Sequence, residues 1–252
     1  MIIMDDGIGL DAVFTQPEGK DKGPVCILIH GFTGWKDEDH ILAVEQAMLE
    51  AGVAVLRADM YGHGKSGGQF KDHTLFKWMT NAMTLIDYVR DLDYTTDIIL
   101  CGHSQGGLMV MLAAGLEHDR VKALIPMSPA WKIPENCRKG RMLGLPFDPD
   151  HVPEETPAWS RGILGGNYIR VAQTIHVEDA IRRYKGPVLL VHGSGDESIP
   201  AECSVEAQKA YADAELAVIP GDTHCYDHHL DMAVDAVRQW MLKTLERNAE
   251  AE

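Results

Sequence analysis

Six short apolar runs of strand length punctuate the chain, at residues 25–29, 53–56, 98–101, 121–125, 188–191 and 216–219. They are near-continuous rather than alternating, which is how strands read when both of their faces are buried, and such strands belong to parallel sheets covered by helices. Longer amphipathic stretches lie between the runs. Leu75, Trp78, Met79, Ala82, Met83, Ile86 and Val89 recur at helical spacing behind a candidate N-cap at Thr74, and Leu230, Ala233, Val234, Val237, Trp240 and Met241 do the same near the C-terminus. The pattern predicts an α/β fold with a mostly parallel central sheet flanked by helices. At 252 residues the chain suits a single such domain, burying roughly three-quarters of its unfolded surface.

One stretch breaks the rhythm. Seven of the twelve prolines fall between Pro126 and Pro157, with Trp131, Phe147 and Trp159 in or just beyond that stretch, where a simple strand–helix repeat needs only a crossover helix. The expected division is therefore a core of residues 1–127 and 185–252, with 128–184 as an inserted cap or lid. A long excursion inside a compact domain is usually functional, and aromatic content suits a cover over a pocket.

Composition narrows the class of partner. Lys and Arg total 23 against 38 Asp and Glu, a formal charge of −15, which disfavours nucleic acid and anionic membrane surfaces because both are held by clustered cations. No run of 18 apolar residues occurs, and the N-terminal residues lack the basic and apolar regions of a secretory signal. Five cysteines, an odd number with no CxxC pair, read as free thiols in a reducing compartment, so the expected location is the cytoplasm. The state of assembly is open, a homodimer included.

Directly after the run at 98–101 comes Gly102-His103-Ser104-Gln105-Gly106-Gly107, followed by a strong helix-forming stretch. This is G-x-S-x-G in a strand–turn–helix context, in which small flanking residues permit a tight, strained turn that holds the serine out at the sheet's edge. A serine hydroxyl needs a base, an orienting carboxylate and donors for the oxyanion, in the chain order Ser, Asp, His on this kind of fold. Asp196 follows the run at 188–191 in a Gly-rich turn, with Glu197 as its near competitor. His224 follows the run at 216–219 and is the leading base. Gln105, after the serine, and Phe32, in His30-Gly31-Phe32-Thr33-Gly34, stand where two oxyanion-binding N–H groups are expected.

Two rival motifs are weaker. His224, His228 and His229 with Asp222 and Asp227 could be read as a metal site, but no helical HxxxH or HExxH is present, and neither a metal nor an organic cofactor is expected. Gly64-Lys65-Ser66 ends like a phosphate-binding loop, but Asp59 stands where that loop needs its first glycine, so His63 and Lys65 are expected to be structural or rim residues.

Taken with Asp59-Met60-Tyr61-Gly62-His63-Gly64-Lys65-Ser66 and the loop from Gly221 to His229, these motifs resemble the α/β-hydrolase fold, and within it the microbial feruloyl (cinnamoyl) esterases. The resemblance implies Ser104 as nucleophile, Asp196 as acid, His224 as base, and Phe32 and Gln105 as oxyanion donors. It also implies a cap over an aromatic acyl group, with Trp159 and Tyr168 as candidate substrate contacts. The expected activity is hydrolysis of small carboxylic esters, hydroxycinnamates foremost, through an acyl-enzyme. The alternatives are a monoacylglycerol lipase, a short-chain esterase or a peptidase of the same fold, or a non-catalytic ligand receptor built on it.

Overall fold

The computed structural model describes residues 1–158 and 162–251. In chain order, β1 (Ile2–Asp5), β2 (Ile8–Thr15) and β3 (Gly23–Ile29) precede α1 (Asp39–Glu50), β4 (Ala54–Ala58), α2 (Leu75–Arg90), β5 (Thr95–His103), α3 (Gln105–Leu116) and β6 (Val121–Met127). A stretch of short elements follows: α4 (Ile133–Arg138), β7 (Arg141–Met142), β8 (Leu145–Pro146), β9 (Glu155–Pro157), β10 (Ile163–Gly165), α5 (Asn167–Gln173) and α6 (Val177–Arg183). The chain then closes with β11 (Val188–Gly193), α7 (Glu202–Ala210), β12 (Ala214–Ile219) and α8 (Leu230–Ala251).

The main sheet has eight strands in the order β1-β2-β4-β3-β5-β6-β11-β12. From β4 to β12 every pairing is parallel, and the six apolar runs fall in these strands apart from Val53, which immediately precedes β4. Two further strands, β1 and β2, were not among the runs read from the sequence. They pair antiparallel with each other, and β2 pairs antiparallel with β4, extending one edge. Their residues alternate between buried and half-exposed positions, with Leu10 and Ala12 inward, so they form no continuous apolar run.

Apolar side chains fill both faces. On one side Ile27, Leu56, Leu100 and Leu124 pack with α2, α3 and the short elements after β6; on the other, Leu28, Val55, Ile99 and Val191 pack with α1 and α8. Helix α2 begins as the sequence suggests, its N-cap Thr74 accepting a hydrogen bond from the Lys77 N–H at 3.1 Å. Helix α3 is buried nearly all round, because the sheet lies on one side and α2 and α6 on others.

Among its described residues the Pro-rich stretch has three short helices and two two-stranded ribbons. Pieces of this length show no sustained period in sequence. Its last helix, α6, packs directly against α3: a Cβ on Gly115 of α3 would lie 2.4 Å from the Ala180 Cα. Part of the stretch thus does the work of a crossover helix.

Candidate active site

Strand β5 lies in the interior of the sheet, and its end delivers Ser104 to the carboxyl edge where ligands bind in parallel α/β sheets. Ser104 has φ 55° and ψ −117°, a conformation costly for an L-residue. Its neighbours explain why it can be held so. A Cβ on Gly102 would lie 2.4 Å from the Gly106 carbonyl oxygen, and one on Gly106 would lie 2.2 Å from the carbonyl oxygen of Ile29. Only glycine lets strand and helix approach this closely.

The structure brings Ser104, His224 and Asp196 into one line. His224 Nε2 stands 2.9 Å from Ser104 Oγ, and Nδ1 stands 2.7 Å from Asp196 Oδ2. Because the carboxylate accepts, Nδ1 carries the proton and Nε2 presents its lone pair to the serine hydroxyl. The Asp196 side chain is fully buried, and its other oxygen, Oδ1, accepts from the N–H groups of Ser198 and Ile199, each at 2.8 Å. Burial alone would raise this carboxyl; hydrogen bonds from His192 and His224, with the Ile199 N–H, outweigh it and hold the group well below the usual carboxylate range. Glu197, the sequence competitor, is exposed.

The two expected oxyanion residues flank the serine. Gln105 opens α3, so its N–H has no acceptor within the helix. Phe32 sits in a turn closed by the Gly34 N–H on the Gly31 carbonyl at 3.1 Å, with Thr33 at φ 67°. The next amide is anchored: the Thr33 N–H donates to His63 Nε2 at 3.3 Å. His63 is thus a buried structural residue, as expected, while Lys65 is exposed and gives its backbone N–H to Asp59 Oδ2 at 2.8 Å.

A family model described as "Serine aminopeptidase, S33" matches residues 20–158. A solved structure of Est1E from Butyrivibrio proteoclasticus with ferulic acid bound is 56% identical, covers 98% of this chain and 99% of its own, and superposes with a TM-score of 0.96. This chain is an α/β hydrolase. A second structure of Est1E is 53% identical with a TM-score of 0.92, each chain covered to 98%. More distant kin include the human mitochondrial palmitoyl-protein thioesterase ABHD10, 26% identical over 79% of this hydrolase and 66% of the relative, just under two thirds of its length. A monoacylglycerol lipase from Mycolicibacterium smegmatis is 26% identical over 92% of this hydrolase and 90% of that enzyme.

In this hydrolase Ser104 opens onto a cavity of about 580 Å³, within the range of small-molecule sites. Gly31, Phe32, Thr33 and Glu38 are among the residues that line it. Ile133, Asn136, Arg141, Met142 and Leu143, all from the Pro-rich stretch, line it too, as do Glu197 and Cys225. The ribbon β7–β8 turns at Leu143 and Gly144, both at positive φ, which pushes the Leu143 side chain toward the cavity.

The substrate contacts expected from the resemblance fare differently. Trp159 lies outside the described residues. Tyr168 is fully buried, is absent from the cavity lining, and donates its hydroxyl proton to Gln105 Oε1 at 2.6 Å. That hydroxyl is engaged beneath the site rather than presented to a ligand, because α5 carries it against the first residue of α3.

Other residues of the site gave no sequence signal. Asp222, first noted only as a metal candidate, is fully buried and accepts three backbone N–H groups: Thr223 at 2.8 Å, His228 at 3.0 Å and His229 at 3.1 Å. It ties together the loop that carries His224. His228 and His229 are exposed just ahead of α8. Among the described residues no group of three or more His, Cys, Asp or Glu is placed to hold a metal ion, and no helix is long and apolar enough to cross a membrane.

Proposed function

We propose that this protein hydrolyses small carboxylic esters, hydroxycinnamate esters foremost, through an acyl-enzyme on Ser104. The observation that carries the reading is the line Ser104–His224–Asp196 opening on a cavity lined by Ile133, Met142 and Leu143 together with the polar Asn136 and Arg141. His224 Nε2 takes the Ser104 proton as Oγ attacks the ester carbonyl. The N–H groups of Phe32 and Gln105 receive the developing oxyanion, and Asp196 stabilises the imidazolium. The imidazolium then returns its proton to the departing alcohol, leaving the acyl group on Oγ, and a water activated by the same histidine releases the acid.

The substrate class rests on the cavity and on the likeness to Est1E, whose structure holds ferulic acid. A hydroxycinnamoyl group is flat and apolar with a phenolic end. Ile133, Met142 and Leu143 offer it walls, and Asn136 and Arg141, which also line the cavity, are there to meet a hydroxyl. Residues 128–184 thereby act as the cap that selects the acyl group, and the substrate is a soluble small molecule.

Two measurements test this. A fluorophosphonate probe should label wild-type protein at Ser104 and leave Ser104→Ala unlabelled, with turnover reduced on the order of 10⁶-fold. Rates on methyl ferulate should exceed those on a short acyl ester and on a monoacylglycerol, and should survive EDTA. Labelling elsewhere would move the nucleophile, and a preference for the monoacylglycerol would move the substrate class.

A further inference from the structure

Two buried histidines adjoin the site, His103 among the residues that line its cavity, and take no part in the acyl transfer just described. His103 immediately precedes Ser104, and His40 lies in the first turn of α1; they are 3% and 5% exposed. His103 Nε2 is 2.8 Å from the backbone carbonyl oxygen of His224. A carbonyl only accepts, so this nitrogen carries the proton and Nδ1 keeps its lone pair. His40 Nε2 lies 3.2 Å from that Nδ1 and donates to it. The His40 and His103 rings meet edge to face with centroids 4.4 Å apart, and the His103 and His224 rings are 4.8 Å apart.

We propose that His103 is a positioning residue for the base, tying the strand that ends in the nucleophile to the backbone of His224, and that His40 holds His103 in the tautomer able to do so. The inference rests on the reading of Ser104 and His224 as nucleophile and base. Its force comes from where the bond falls. Asp222 fastens the amides of residues 223, 228 and 229, whereas the His224 carbonyl is taken by His103, 121 positions away in sequence and adjacent to the nucleophile. The serine–imidazole distance is thus set at two points, through the side chains and through the bond from His103, next to Ser104, to the backbone of His224. Gly31, in the oxyanion turn, closes another side: a Cβ there would lie 3.1 Å from His103 Nδ1.

The pair is also kept neutral. Burial, then the neighbouring His40 and His224, push the His103 imidazole well below its ordinary range, against small opposing effects of the His224 carbonyl and Asp196. Burial, then His224, lowers His40 to about 4, against Asp227 and Asp39. A charged His103 would lose the lone pair that His40 needs and would set a second cation beside the imidazolium formed in catalysis.

The test uses His103→Phe, His103→Gln, His40→Phe and the double variant His40→Phe/His103→Phe, each with kcat and KM on methyl ferulate and a thermal midpoint. A displacement of about 1 Å at a reacting group costs roughly 10²-fold, so His103→Phe should lose about that much in kcat with KM within about threefold. His103→Gln, whose amide nitrogen can reach the His224 carbonyl, should recover to within about tenfold of wild type. His40→Phe should cost about tenfold, and the double variant should be no worse than His103→Phe, because both act through one bond. If His103→Phe does not fold, His103→Asn, too short to reach the carbonyl, should show the same loss in kcat. Wild-type kcat in His103→Phe or His103→Asn overturns the proposal, as does a His103→Gln variant that falls as far as His103→Phe, or additive losses in the double variant. Activity surviving in Ser104→Ala is a separate result, which would remove the underlying reading.

Discussion

His192 Nε2 lies 3.1 Å from Asp196 Oδ2, the same oxygen that His224 reaches. The same nitrogen is 2.9 Å from the Ile199 carbonyl, so it carries a proton, while Nδ1 lies 2.7 Å from the Ser204 hydroxyl. His192 is therefore a fully buried donor that shares with His224 the task of solvating a carboxylate cut off from water. A buried carboxylate is tolerable only when hydrogen-bonded, and this one has donors on both oxygens.

That arrangement makes Asp196 irreplaceable by its neighbour. Asp196→Asn should lower kcat by about 10⁴-fold, since an amide favours the wrong imidazole tautomer and leaves the imidazolium unstabilised. Glu197→Gln should change kcat by less than about threefold, the residue being exposed. Steady-state rates on any accepted ester decide it, and the opposite ranking would give the acid's role to Glu197.

How much of this could be read from sequence depends on whether a role resides in a residue type or in a contact. Ser104 announces itself through Gly102 and Gly106, and Asp196 and His224 through their places after two apolar strands. His103, His192 and Asp222 carry no comparable mark: each acts through a hydrogen bond that exists only once strands and loops distant in sequence have met. Tyr168 shows the converse. An aromatic hydroxyl in a cap suggests a substrate contact, yet α5 turns it down onto Gln105. Strands β1 and β2 escaped because an edge that alternates between exposed and buried residues lacks the apolar run that marks the central strands.

Asp222 should be worth as much to the site as any residue beyond the three in line. Asp222→Ala leaves three backbone N–H groups of the 220–229 loop without their acceptor, at about 1–3 kcal/mol for each that stays buried. The expected outcome is a drop in thermal midpoint together with a loss of kcat on every ester alike. A variant with wild-type melting and wild-type kcat would show that the loop holds His224 without it.

Acid should weaken the fold before it reaches the carboxylates. Burial, then His63, lowers His73 to about 3, and His40 is lowered to about 4, whereas both titrate near 6.5 in an unfolded chain. Between those values the unfolded chain binds protons that the native state refuses, so stability rises with pH there and is lost as pH falls from about 6.5 toward 3. For His40 alone the linkage is about 3 kcal/mol. The lowered Asp196 adds a loss in the same direction, beginning as pH falls toward the unfolded carboxyl value. Urea unfolding at pH 7.5, 5.5 and 4.5 should show a steady decline, flatter in His40→Phe; stability unchanged across that range contradicts the neutral buried histidines.

The cap's part in selectivity can be separated from its part in folding at Leu143. This residue occupies a left-handed conformation, φ 53°, at the tip of the β7–β8 ribbon, and it lines the same cavity as Phe32 and Ser104. Leu143→Gly removes an apolar wall while placing at that position the one residue with no steric objection to it, so the backbone gains from relief of strain what it loses in packing. If the wall meets an aromatic acyl group, kcat/KM for methyl ferulate should fall by about 1–2 kcal/mol, or roughly 5–30-fold. An acetyl ester, too short to reach the ribbon, should stay within about twofold, and the thermal midpoint should hold. Equal losses on both esters at an unchanged midpoint would mean that Leu143 shapes the nucleophile's surroundings and not the acyl pocket.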